Sequence, residues 1–272
     1  MKKLLKIYLP FASNELKSQM AYKGAFYLFI LVSLFSSFIS YYLWEAIYAS
    51  SDQASLGGLT RQEMVVYVFM VYVTSSVVMI SISSYVSDDV VKGTVALHLI
   101  KPIDYRMSLV FRAAGTMVYR FIVPSVAIWI GLEIYKVTVL GLKPVTVTGV
   151  LLYLMSSIMS FLIYVLFDFC FGMVAFFTTY IFGMRMAEEA LLSFLTGRLI
   201  PISFFPEAVQ KIFDLLPFSS MIYTPVMIYL GKYTGETLAF MLLRQAAWVV
   251  ILYAAGSLIW RRVTKRLIVL GG

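Results

Sequence analysis

The 272 residues carry 22 Lys and Arg against 14 Asp and Glu, a net charge of +8, and are 61% hydrophobic, 16% aromatic and 13% charged. Soluble domains are about 45–50% apolar and about 25% charged, so this chain lacks the polar residues to cover a water-soluble globule. The aliphatic and aromatic content excludes disorder, scattered basic residues argue against a nucleic-acid partner, and the single cysteine, Cys170, rules out an intrachain disulfide framework.

Lipid is therefore the expected solvent, and the expected fold is an all-α polytopic membrane protein in one transmembrane domain, residues 1–272. Residues 1–22 precede the first apolar run. Lys2, Lys3 and Lys6 are followed by Pro10, Asn14, Glu15 and Lys17, which is not the pattern of a cleaved signal peptide. Leu9, Ala12, Leu16 and Met20 recur at helical spacing, predicting an interfacial helix broken at Pro10. Such a helix serves either as a basic anchor on membrane lipid or as a structural elbow.

Six spanning helices are predicted, near 25–48, 64–86, 109–135, 144–183, 187–204 and 238–260, each near or above the roughly 20 residues a bilayer needs. The fourth is too long to cross straight, so it tilts or breaks near Phe171 and Gly172. Fourteen Lys and Arg then fall on the side of the termini, among them Lys2, Lys3, Lys6, Lys17, Lys23 and Arg266, against seven opposite. The positive-inside rule places both termini in the cytoplasm.

Two segments are not plain spans. Within residues 87–104, Ser87 or Asp88 is a candidate cap, Asp89 favours a helix N-terminus, and Pro102 disfavours helical geometry at Lys101. A short amphipathic helix is expected here, facing either a partner protein or the lipid headgroups. Residues 197–231 hold Pro201, Pro206, Pro217 and Pro225, four of the eight prolines. Irregular backbone at membrane depth survives only when buried in protein or lining a wet cavity. Two short helices re-entering from the outer face are expected, one over Glu207–Leu216 with Pro206 in its first turn.

Arg120, Glu133 and Asp168 fall inside the predicted spans and are either structural pairs or functional groups. No residue is assigned a catalytic role. No Walker loop, H-E-x-x-H or G-x-S-x-G occurs, and His98, the one histidine, cannot form a two-histidine metal site, so neither a metal nor a cofactor is expected in this chain.

Three stretches resemble the permease subunit of type 2 ATP-binding-cassette exporters. They are Tyr22-Lys23-Gly24-Ala25-Phe26; Lys92-Gly93-Thr94-Val95 followed by Leu99-Ile100-Lys101-Pro102; and Gly197 through Pro206 continuing to Leu216-Pro217-Phe218 and Tyr223-Thr224-Pro225. The resemblance implies a plasma-membrane permease paired with a second, identical or homologous permease. Each would dock a separate cytosolic ATPase that binds ATP and Mg. It implies that Asp88, Asp89, Val91, Lys92, Gly93, Val95, His98, Lys101 and Pro102 serve docking, with Asp88–Leu99 as the coupling helix. Gly197, Pro201, Phe204, Phe205, Pro206, Pro217 and Pro225 would belong to an outer gate. His98 departs from the aliphatic residue expected there. A drug, peptide or lipid is the expected cargo, and the alternative is a secondary transporter or channel using Arg120, Glu133 and Asp168.

Overall fold

The computed structural model describes residues 2–21, 23–178 and 181–270. Tyr22, which opens the first stretch of family resemblance, lies outside them. Helix α1 spans Lys2–Ala21 and α2 Lys23–Ala49. A two-stranded hairpin, Ser55–Leu56 with Leu59–Thr60, leads into α3, Arg61–Val78, whose N-terminus is closed by a Thr60/Glu63 capping box. Helices α4, Ser83–Val91, and α5, Val95–Leu99, follow.

Helix α6, Tyr105–Arg120, continues through a π turn at Phe121–Ser125 into α7, Val126–Thr138. Pro124 lies in that turn, where its missing N–H is absorbed by the wider winding. Helix α8, Val147–Gly172, ends in a 3-10 turn, Met173–Phe176. The break near Gly172 is thus where the long apolar run divides. Helices α9, Phe182–Leu195, α10, Glu207–Leu215, α11, Tyr223–Tyr229, and α12, Gly235–Leu270, complete the chain.

Among the described residues, five helical stretches are long and apolar enough to cross a bilayer: Ile30–Ala49, Arg61–Val91, Tyr105–Thr138, Val147–Phe176 and Gly235–Lys265. The span expected at 187–204 is different. Its residues belong to the 14-residue α9, which carries Glu188 and Glu189, and then to a turn at Gly197, where φ is +79°. Charge and turn interrupt a run that hydropathy alone reads as continuous.

Around buried α3 and α8 the core assembles Tyr67, Met70, Tyr153, Ile163, Phe169 and Met221. Helix α11 is buried along its whole length, whereas α2 leaves Leu28, Leu31, Phe35 and Tyr42 exposed. Gln245 of α12 is fully buried and ties α12 to α8 and to the 3-10 turn at Phe218–Ser220. It donates to the Ser220 carbonyl and to Ser160 Oγ, both at 2.9 Å, and accepts from Ser156 Oγ at 2.9 Å.

Pro10 does not break α1, contrary to the sequence expectation. The reason is tertiary: α1 lies along α6. Tyr8 stacks on Phe111 with ring centroids 5.5 Å apart, and its hydroxyl accepts the Asp104 N–H at 2.8 Å. The Ala12 carbonyl packs so closely on Gly115 that a Cβ there would sit 2.2 Å from it. Glu15 is buried, 3.5 Å from Arg112, whose guanidinium stacks on Tyr85.

Candidate functional site

Residues 79–104 form an elbow of two helices rather than the single helix expected over Asp88–Leu99. The cause is local. Helix α3 stops at Val78, α4 starts at Ser83 rather than at Ser87 or Asp88, and Gly93, with φ +70°, supplies the left-handed turn before α5. The first residue of α4 has no side-chain cap of its own on Ile82. Asp168 of α8 provides one from outside: its Oδ2 accepts the N–H groups of Ile82 and Ser83, the latter at 2.7 Å. Ser81 Oγ donates to both carboxylate oxygens, at 3.2 and 3.3 Å. Gly172, one turn beyond Asp168, lets α8 approach the Ser83 backbone; a Cβ at 172 would sit 3.0 Å from Ser83 Cα.

The two adjacent aspartates of the elbow do different things. Asp88 is exposed and meets Lys92 at 3.3 Å, a solvated helical pair of little energetic weight. Asp89 is the internal hub: it accepts from Thr94 Oγ1 at 2.7 Å and from Tyr105 Oη at 2.7 Å, and His98 Nε2 lies 3.5 Å away. His98 also packs on Tyr105, which stacks on Trp260 of α12 at 5.1 Å. The hub thus fastens α4, α5, α6 and α12 to one another. Val95 is buried beneath the elbow, while Val91, Leu97, Leu99 and Ile100 are exposed, Ile100 by 79%. Lys101 and Pro102 are exposed beside them.

The proline-rich segment divides into a buried and an outer part. Gly197 is buried, accepts the Tyr67 hydroxyl at 2.6 Å, and has no room for a side chain against Tyr67 and Tyr223. Pro201 is buried, and Phe204 packs on Trp44 at 4.9 Å. Pro206 precedes α10, and Phe205 holds that helix through Phe213 at 5.2 Å, yet α10 leaves Ile212 and Leu215 exposed. Pro217 begins a 3-10 turn at Phe218–Ser220, and Pro225 sits in the first turn of buried α11, where a missing N–H costs nothing.

The intramembrane charges separate as well. Glu133 is a clamp at the end of α7: it binds Lys136 at 2.9 Å, receives the Tyr229 hydroxyl, and accepts the Val145 N–H at 3.3 Å. Arg120 and Asp168, by contrast, line one cavity of about 720 Å³ bounded by α2, α3, α4, α6, α8 and α9. Arg185, Glu188, Glu189 and Arg198 line it too. Glu188 and Glu189 of α9 do not stand out in the sequence, because they fall within the apolar run expected to span at 187–204.

A model of the ABC-2 family transporter proteins matches residues 28–271, nearly the whole chain. The chain belongs to this family. No curated protein matches it. The helical architecture agrees with an ABC-transporter permease, a membrane component of transport. Among the described residues, no group of three or more His, Cys, Asp or Glu is placed to hold a metal ion.

Proposed function

We propose that this chain is the membrane-spanning permease subunit of an ATP-driven exporter in the plasma membrane, with both termini cytoplasmic. The observation that carries the reading is the elbow. It presents Val91, Leu97, Leu99 and Ile100 to the outside while Asp89 ties its two helices rigidly to α6 and α12. An exposed apolar tip on a stiff mount is suited to receive force from another protein. We assign that partner as a separate cytosolic ATPase, which would bind ATP and Mg itself. A second permease, identical or homologous, would face α2 and the cavity, and 197–231 would close the route on the outer side. The cargo is a drug, peptide or lipid.

Motion of the elbow would reach the cavity directly, since Asp168 and Ser81 belong to both. Nucleotide binding would then bias inward and outward states of the permease. An ion-coupled transporter is less well supported, because the oxygens of Asp168 already accept three donors and Glu133 is held by Lys136, Tyr229 and Val145. The test is whether a Walker-motif ATPase co-purifies with this chain from the membranes of the cell that makes it. Leu97→Glu and Ile100→Glu should abolish capture while the permease still inserts; undiminished capture by both variants would contradict the docking role.

A further inference from the structure

The cavity bounded by α2, α3, α4, α6, α8 and α9 has a lining whose chemistry narrows the cargo. We propose that it binds a short zwitterionic peptide, with Glu188 receiving the peptide's ammonium or amide N–H and Arg185 its carboxylate. This deepens the permease reading and rests on it.

The lining is rich in polar groups. Hydroxyls come from Ser36 and Ser40 of α2, Ser75 of α3, Ser84 of α4, Tyr164 of α8 and Ser193 of α9. An acyl chain or an apolar cation would strip water from these groups and return no hydrogen bond, an unfavourable exchange. Ser36, Ser75 and Ser193 donate to carbonyls of their own helices and keep acceptor capacity for a ligand's N–H groups, which a peptide supplies.

Formal charges are equal in number but unequally used, and burial together with the nearby Asp168 pushes the Glu188 carboxyl up to about 8. The lining holds three arginines, Arg120, Arg185 and Arg198, and three carboxylates, Asp168, Glu188 and Glu189. Asp168 is engaged by Ser81, Ile82 and Ser83, and Glu189 lies 3.7 Å from Arg198. Glu188 is different: its Oε1 is buried and has no hydrogen-bond partner among the described residues. A buried carboxylate oxygen of this kind calls for a donor. One helical turn earlier, Arg185 donates to Ser81 Oγ at 3.3 Å; a guanidinium has five N–H groups to offer. An acceptor and a donor of opposite charge on one face of α9 match a ligand carrying both signs.

Apolar surface completes the match. Trp44, Val68, Val71, Phe182, Met186 and Leu192 line the same cavity and offer contacts to peptide side chains. Its volume, about 720 Å³, lies within the roughly 300–1,000 Å³ of small-ligand sites.

The single native cysteine allows a clean test. In the full chain carrying Cys170→Ser, reconstituted in lipid nanodiscs, Ser75→Cys and Ser193→Cys are each labelled with a neutral, hydrophilic methanethiosulfonate. Trialanine, maltotriose and tetraphenylphosphonium are added as competitors. Both cysteines should react, and trialanine should slow labelling saturably while the other two compounds do not. Glu188→Gln should raise the half-protecting trialanine concentration about ten-fold, as expected for loss of one charge-assisted hydrogen bond, without changing the unprotected rate. Failure of either cysteine to react, absence of peptide protection, or equal protection by maltotriose or tetraphenylphosphonium would overturn the proposal. Those results would leave ATPase capture intact, whereas a failed permease reading would appear as loss of capture by the wild-type chain itself.

Discussion

Asp168 accepts the backbone N–H of Ser83 at 2.7 Å, so a carboxylate buried in α8 caps a helix that begins 85 residues earlier in the chain. The same side chain lines the cavity. Cavity and elbow therefore share one hydrogen-bonded joint, and a displacement at either end must strain or break it.

Replacing that carboxylate should reveal its role by degree. Asp168→Ala leaves the Ile82 and Ser83 amides without an acceptor and should destabilise the chain by about 1–3 kcal/mol, the usual effect of orphaning buried polar groups. Asp168→Asn keeps one oxygen acceptor and should be milder. Thermal unfolding in detergent measures the order; equal melting of Ala, Asn and wild type would remove the capping role.

Gly172 permits the close approach that makes this cap reachable. Gly172→Ala places a Cβ 3.0 Å from the Ser83 backbone, which has no flexible atom to move aside. Overpacking of this kind costs about 1–3 kcal/mol, and α4 should shift away from α8. A lowered melting temperature, together with faster amide exchange at Ser83, is the expected readout.

Gly115→Ala should be harsher, because the added Cβ would lie 2.2 Å from the Ala12 carbonyl. Helix α1 must leave α6 or tilt. Limited proteolysis should then cut within α1, while the wild-type chain resists; unchanged protection of α1 would show that it is not held by this contact.

Neighbouring aspartates in the elbow should behave unlike each other. Asp88→Lys alters an exposed pair and should leave stability nearly unchanged, within about 0.5 kcal/mol. Asp89→Lys places a cation among Thr94, His98 and Tyr105 and removes the acceptor for two hydroxyls. It should unfold the elbow at a lower temperature. If docking requires a stiff mount, Asp89→Lys lowers ATPase capture through loss of structure and Asp88→Lys through surface charge alone.

The sequence made some of this visible and hid the rest for physical reasons. The long apolar runs announced α3, α8 and α12, and the clustered prolines announced short helices at α10 and α11, since neither signal depends on distant contacts. Pro10 misled because the cost of a proline in a helix was outweighed by α1 packing along α6, a relationship between residues about a hundred apart. The start of α4 misled for the same reason: Ser87 and Asp88 are local cap formers, but the cap comes from Asp168. Hydropathy averages smoothed over Glu188 and Glu189, so α9 was read as a span and its charged face toward the cavity was missed. The Asp89 hub was legible only as charge, because its three partners lie 5, 9 and 16 residues away, at the cap of α5, in α5 and in α6.

The most direct test measures ATP hydrolysis by the Walker-motif ATPase captured with this chain, in lipid nanodiscs, with this chain wild type or carrying Ile100→Glu. The wild-type permease should change the hydrolysis rate severalfold and the variant should leave it at the value of the ATPase alone. An ATPase indifferent to the wild-type chain, or a response unchanged by Ile100→Glu, would contradict the claim that the exposed tip of the elbow carries the coupling.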